Sequence, residues 1–480
     1  MAAHISRLTL LALATAIGRS SAATVSYAVP TSVHSGSTAY ATVEPASLGI
    51  SFEFFAFPSY FTNVTATLQC LANWEALTGV WPPIRIGGTT QDRATYDPTT
   101  SAYVVYSVAS ATDAPAALTY GPAFLALAGT YGGSVVLGLN RESGNVSNTI
   151  AAAQAAVSAI GNRLLAVELG NEPDYWGRTV ADDFASQNSW DILVGRAVGR
   201  EHFVQAGNWL SSVSTWGAAA LIATENTTAR SYVATYAHHD YPGGSLTSLM
   251  AHANVAANIG GFAADVAAAQ AVGRPYVLGE TNSATGGGAS SVSPTYGAAL
   301  WTLDFAVRAA AANISRTYFH HGTIGNCQYC FWGRHDMGAP YYGATAAVAF
   351  LAGASSLAAL DDGKSAYAAY ATFDAAGKPL RALLYNSDYY GGSGTRSATV
   401  FTLTGLSGIA AGSTVRARRL TAASALARQD KGSLPTWAGQ TYTNGNCVVS
   451  GTETYETATV SGGQASFTLQ ASEALVVDLQ

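Results

Sequence analysis

The sequence predicts an α/β chain, a (β/α)8 TIM barrel followed by a C-terminal antiparallel β-sandwich. Three observations predict it. Short apolar runs alternate with helical stretches between residues 48 and 325, the βαβ rhythm of a parallel sheet. That span is close to the ~250 residues of a typical barrel. From about residue 366 the pattern changes to short alternating runs between Gly, Ser and Asn turns, as in a sandwich. A doubly wound open sheet is disfavoured, because no glycine-rich phosphate loop follows the first strand.

The expected division is 1–22 signal peptide, 23–45 N-terminal strand segment joining the β domain, 46–350 barrel and 351–480 sandwich. Residues 1–22 carry His4 and Arg7, an apolar core over 8–17 and the small residues Ser20, Ser21 and Ala22. This is the order of a secretory signal, and the core is shorter than the ~20 residues of a membrane span. Barrel strands are expected at 48–55, 83–88, 134–140, 164–169, 219–223, 233–241, 276–279 and 316–320. Helices are expected at 65–77, 124–131, 149–160, 198–213, 254–272 and 296–312. In the first of these Leu68, Leu71, Trp74 and Leu77 recur at helical spacing. Six later runs, between 367 and 479, supply the sandwich, with Leu383, Leu384, Val400, Phe401, Phe467 and Val476 for its core.

Composition narrows the function. Of 480 residues, 49% are hydrophobic and only 11% charged, and the net charge is −6. No basic block follows a phosphate backbone, so nucleic acid is not an expected partner. Neither a membrane beyond the signal nor a second subunit is expected as a partner. Four cysteines, Cys70, Cys327, Cys330 and Cys447, are even in number, which in a secreted chain suggests disulfides. Zinc at Cys327-Gln-Tyr-Cys330 is disfavoured, because no second close ligand pair accompanies it. Sequons at Asn63, Asn145, Asn226 and Asn313 fit glycosylation in that compartment.

The chemistry is expected at two strand ends. Leu164-Leu-Ala-Val-Glu-Leu169 runs into Gly170-Asn171-Glu172-Pro173-Asp174, and Tyr276-Val-Leu-Gly279 into Glu280-Thr281-Asn282. Barrel enzymes keep their reacting groups at the carboxyl ends of strands. Strands four and seven face each other there, so Glu172 and Glu280 form a candidate carboxylate pair. Glycosidic cleavage needs such a pair, one acid and one nucleophile or base. Asn171 is a candidate donor to a sugar 2-hydroxyl, and Tyr241 the donor that keeps Glu280 ionised. Glu168 reads as structural, and Glu53 and Asp240 as lesser acids. One of His238, His239, His320 and His321 is expected to line the pocket. Tyr60, Trp81, Trp176, Tyr329, Phe331 and Trp332 are candidate sugar-stacking walls. No cofactor or metal is expected. A non-catalytic carbohydrate-binding protein is the alternative outside enzymes, and the glutamate pair argues against it.

Four elements resemble glycoside hydrolase family 79, the β-glucuronidase and heparanase-like group, most closely its secreted fungal members. They are Ile84-Arg85-Ile86-Gly87-Gly88-Thr89-Thr90-Gln91-Asp92-Arg93, Glu168 through Asp174, Leu278-Gly279-Glu280-Thr281-Asn282-Ser283 and His320-His321-Gly322-Thr323-Ile324-Gly325. The resemblance implies Glu172 as acid/base and Glu280 as nucleophile in a retaining exo-β-glucuronidase. It implies a glycan ending in β-glucuronic acid or its 4-O-methyl form, as on arabinogalactan. Tyr241, Tyr329, His320, Gln91, Asn171 and Gly287 are the candidate substrate contacts, and the resemblance implies a sugar carboxylate held by tyrosines, here Tyr241 and Tyr329, and by amides of the 286–288 loop. Arg85 is expected to be structural. Other barrel exo-glycosidases, acting on glucosides or xylosides, are the nearest alternatives. Endo-acting heparan cleavage is disfavoured, because basic clusters and a cleaved linker are lacking.

Overall fold

The computed structural model describes residues 23–33 and 40–480, so the signal reading at 1–22 lies outside the described residues. Eight parallel strands close into a barrel: Leu48–Glu53, Ile84–Gly87, Val135–Leu139, Leu164–Leu169, Val204–Trp209, Val233–Asp240, Tyr276–Thr281 and Ile314–His321. The last pairs with the first, His320 opposite Ser51. Five of the eight are buried along their whole length. One face packs into the barrel and the other against helices, which is why they read as continuous apolar runs. Leu137, Leu169 and Leu278 are at most 1% exposed; truncating one to Ala would cost about 2–5 kcal/mol.

The fifth strand corrects the sequence reading. Residues 198–213 form no helix; they contain the strand Val204–Trp209, and the preceding helix is Val180–Val198. That helix hides from an apolar-periodicity argument because its buried face mixes polar residues with Phe184, Trp190 and Val194. Asp183, Gln187 and Asp191 are all buried. Asp183 accepts from Trp209 Nε1 at 3.0 Å and pairs with Arg141 at 2.7 Å, and Gln187 donates to Asp191 at 2.6 Å. Residues 219–223 are likewise not a strand but part of the helix Ala218–Thr224, as suits an alanine-rich run. The Asp265 carboxylate accepts from its first N–H groups, those of Ala218 and Ala219, at 2.8 and 2.9 Å. The expected helix over 254–272 is two, His252–Gly260 and Ala263–Ala271, parted at Gly261.

The β domain is a sandwich. Its larger sheet contains the strands Ser356–Ala359, Tyr367–Phe373, Pro379–Asn386, Thr414–Thr421 and Glu473–Asp478. The smaller sheet contains Ala23–Ala28, Ala398–Thr404 and Ala465–Gln470. Phe401, Leu403, Phe467 and Leu469 meet Leu384, Leu475 and Val477 between them. The N-terminal segment joins this domain as expected, with one difference: Ala23–Ala28 runs parallel to Ala398–Thr404. The helix Pro340–Leu351 leads from the barrel into the domain. Cys70 pairs with Cys447, tying the helix Ala66–Thr78 to the β domain, and Cys327 pairs with Cys330. No helix among the described residues is long and apolar enough to cross a membrane.

Candidate active site

A pocket of about 210 Å³ opens at the carboxyl ends of the barrel strands, and both Glu172 and Glu280 line it. The chain turns sharply to present Glu172. Gly170 has φ +88°, and a side chain there would strike the Trp176 ring. Glu172 itself sits in the left-handed region at φ 48°, ψ 55°, an uncommon place for a residue with a Cβ. Two hydrogen bonds hold the turn. Asn171 N–H donates to Asp92 Oδ2 at 2.6 Å, and Glu172 N–H donates to the Asn208 carbonyl at 2.9 Å.

The two carboxyls are held in opposite states. Glu172 is pushed up to about 8, first by burial and then by the charge of Glu280. Burial alone would also raise Glu280, but the charges of His320 and Arg85 overcome it and hold Glu280 well below the usual carboxylate range. Tyr241 adds a hydrogen bond from its hydroxyl to Glu280 Oε1 at 2.5 Å. Arg85, fully buried, forks between Glu280 and Glu168 and also donates to Asn171 Oδ1 at 2.9 Å. Glu168 thus lies a layer below, as a counter-charge for the arginine.

Histidines complete the ring. His239 Nδ1 is hydrogen-bonded to Glu172 Oε1 at 3.0 Å, and burial pushes its imidazole down to about 4, so it is neutral at pH 7. His320 lies 3.4 Å from Glu280 and 3.6 Å from Glu53, and the charge of Glu280, outweighing burial, raises it. His238 and His321 only pack and bond locally, to the carbonyls of His239 and Ser211 and to the N–H of Phe331. Glu172, His239 and Glu280 offer ligand atoms within 4.8 Å of one another. The Arg85 guanidinium bound to Glu280 opposes a cation there, so the cluster is better suited to moving protons.

Tyr241, Tyr329, His320 and Gly287 all line the pocket. Gly286, Gly287 and Gly288 have φ of 65°, 85° and 95°, which glycine alone adopts without strain. The Gly287 carbonyl accepts from Gln328 N–H at 2.6 Å, joining the glycine loop to Tyr329's loop. Asn171 is 6% exposed beside Glu172; Arg85 occupies its Oδ1, which leaves its NH2 as donor. Gln91 departs from expectation. It is fully buried, under the pocket and against Gly138, and is no part of the wall. The tight turn Thr89–Arg93 folds it inward. Of the candidate aromatic walls only Tyr329 faces the pocket; Trp176 packs between Arg141 and Arg178 instead. Sequence reasoning did not single out His239, although it stands two residues before Tyr241 and so shares its side of the strand. Thr89, Thr285, Thr323 and Asn326 also line the pocket; they lie in loops, where no periodicity marks them.

Comparisons with known proteins converge on one family. Residues 366–476 match the family model described as the glycosyl hydrolase family 79 C-terminal beta domain. The chain is 31% identical over 381 residues to a β-glucuronidase of Aspergillus niger, covering 67% of this chain and 69% of that protein. A β-glucuronidase of Neurospora crassa is 28% identical over 369 residues, 64% of this chain and 63% of that one. Among solved structures, a 4-O-α-L-rhamnosyl-β-D-glucuronidase from Fusarium oxysporum 12S, in a Rha-GlcA complex, is 51% identical. It superposes with a TM-score of 0.90, covering 95% of this chain and 100% of that one. A family 51 arabinofuranosidase from Xanthomonas axonopodis pv. citri shares the fold, at 12% identity and a TM-score of 0.63.

Proposed function

The chain belongs to glycoside hydrolase family 79, and from that premise we propose that it is a retaining exo-β-glucuronidase. Its substrate is a glycan ending in β-linked glucuronic acid, bare, 4-O-methylated or carrying a sugar at O4. The O4 sugar is added on the likeness to the Fusarium enzyme, which acts on a 4-O-rhamnosyl glucuronide. One observation carries the reading: two carboxyls, one raised by burial and one lowered by its cationic neighbours, have oxygens within 4.8 Å across one pocket. Retaining glycosidases place their carboxyls ~5–5.5 Å apart, leaving no room for a water between.

In the first step Glu280 attacks the anomeric carbon while Glu172 gives its proton to the leaving oxygen. Tyr241, Arg85 and His320 keep Glu280 ionised until it reacts. Once Glu280 is esterified its charge is gone, so the group that raised Glu172 no longer acts. Glu172 then ionises and serves as base for the water that frees the sugar. The Tyr329 hydroxyl and the N–H groups of the glycine loop are the donors assigned to the glucuronate carboxylate, which packs beside Tyr241, with Asn171 assigned to the 2-hydroxyl.

Secretion of a glycosylated monomer completes the reading. Asn63, Asn145 and Asn226 are exposed and Asn313 is half-buried, and the two disulfides suit an oxidising compartment. The test compares 4-nitrophenyl β-glucuronide with the β-glucoside and follows the released anomer by NMR. Release of β-glucuronic acid is expected. Turnover of the glucoside alone, or an α product, overturns the assignment.

A further inference from the structure

We infer that Asn208 is a positioning residue for the acid/base: the bulge it makes in strand five aims a backbone carbonyl at Glu172 and keeps that residue in its left-handed turn. This rests on the glucuronidase reading and deepens it. Asn208 is fully buried and does not line the pocket, so it acts only through its neighbours.

The backbone shows how. Strand five pairs with strand four only at Val204 and Gln205, opposite Val167 and Glu168. On its other side Gly207 stands opposite Ala237 and Trp209 opposite His238, which leaves Asn208 as an extra residue without a partner. A bulge of this kind bends the strand and re-aims what it carries. Asn208 takes φ 67°, in the left-handed region where asparagine is enriched among residues with a Cβ. Its carbonyl accepts the Glu172 N–H at 2.9 Å. Glu172 is itself left-handed, at φ 48°. One hydrogen bond thus joins two left-handed residues at the carboxyl ends of adjacent strands. Such strain persists only where the surroundings over-determine it.

The Asn208 side chain locks the bulge. Its Nδ2 donates to the Gln205 carbonyl at 3.2 Å, and its Oδ1 accepts from Gln205 Nε2 at 3.1 Å. Gln205 Nε2 also donates to Glu168 Oε2 at 2.9 Å, and Glu168 shares Arg85 with Glu280. The amide pair therefore connects the Glu172 turn to the arginine beneath the nucleophile. Gly279, the residue before Glu280, makes room for it: a Cβ there would lie 3.0 Å from Gln205 Nε2 and 3.6 Å from Asn208 Oδ1. Every residue at 208 would offer a carbonyl; asparagine decides where it points.

The test measures kcat/KM on two substrates for wild type, Asn208→Gly and Asn208→Ala. The leaving oxygen of phenyl β-glucuronide needs the proton of Glu172, whereas the phenolate of 2,4-dinitrophenyl β-glucuronide departs without it. Glycine keeps the left-handed backbone and loses only the lock; alanine loses both. Displacing a reacting group by about 1 Å can cost ~100-fold, so on the phenyl glucuronide Asn208→Ala is expected to lose about 100-fold and Asn208→Gly about tenfold. Each loss should be about fivefold smaller on the dinitrophenyl glucuronide, where general acid catalysis contributes little. Equal losses on both substrates, no loss on the phenyl glucuronide, or a larger loss for Asn208→Gly than for Asn208→Ala overturns the role. The last outcome would mean that the side chain only fills space, since glycine leaves the larger void. If the alanine variant does not fold, Asn208→Gly carries the leaving-group comparison by itself. Wild type inactive on both glucuronides removes the glucuronidase reading and this role with it; the other outcomes leave that reading standing.

Discussion

Replacing Glu280 by Gln should lower the pKa of Glu172. The closest oxygens of the two carboxyls lie within 4.8 Å. At an effective dielectric constant of about 20, two unit charges at that distance interact by about 3.5 kcal/mol, or ~2.5 pH units. Arg85 neutralises part of the Glu280 charge, so a fall of about 2 units is expected. Glu172 is held up to about 8 in the intact site. The remaining elevation in the variant comes from burial. Carbon-13 NMR of carboxyl-labelled glutamate, with Glu172→Gln as the assignment control, reads the titration directly. A shift of less than about 0.5 unit would mean that burial alone sets the acid, and the alternation of Glu172 between acid and base would lose its cause. Wild-type kcat/KM has the matching signature. Glu172 must be protonated in the free enzyme, so the rate should fall tenfold per pH unit above about 8.

Tyr241→Phe removes the hydroxyl donor to Glu280 Oε1 and should lower kcat about 10- to 100-fold, the worth of a hydrogen bond to a charged group; steady-state kinetics with unchanged thermal stability would check it. Asp92→Ala leaves the N–H groups of Asn171 and Arg141 without their acceptor and should cost about 2–4 kcal/mol of stability, since each buried orphan costs ~1–3; chemical denaturation followed by circular dichroism measures it. His252 is clasped between Asp304 and Asp361 at 2.8 and 2.9 Å, linking barrel to β domain, and despite burial the charge of Asp304 pushes it up to about 10. Its contribution is full below the unfolded value near 6.5 and fades as pH rises toward 10, so wild-type Tm should decline over that window while His252→Ala, less stable at neutral pH, should show a flatter profile.

Much of this arrangement is legible in the residues. Strands buried on both faces announce themselves as apolar runs, and their carboxyl ends mark Glu172 and Glu280. Strand five is not legible, because Gln205, Gly207 and Asn208 interrupt its apolar run while the neighbouring helix buries Asp183, Gln187 and Asp191. Both departures have one cause: polar groups there satisfy each other in the interior, and hydrophobic period says nothing about such pairs. Gln91 was misplaced because a motif gives the order of residues and not the fold of a turn. His239 could be reached through strand alternation, whereas Thr323 and Asn326 owe their position to a loop shaped by a disulfide and by a contact with Gly287 in the loop after strand seven. No local signal in the chain encodes that.

The Cys70–Cys447 bond spans a separation of 377 residues, so both carboxylates, seven of the eight barrel strands and most of the β domain belong to one covalent ring. A single proteolytic cut anywhere between these two cysteines opens the ring without dividing the molecule. The nicked protein would run as one chain on a non-reducing gel and as two pieces once reductant is added. In a milieu rich in proteases, the fragments on either side of a cut would stay tethered, each with its folding partner still within reach.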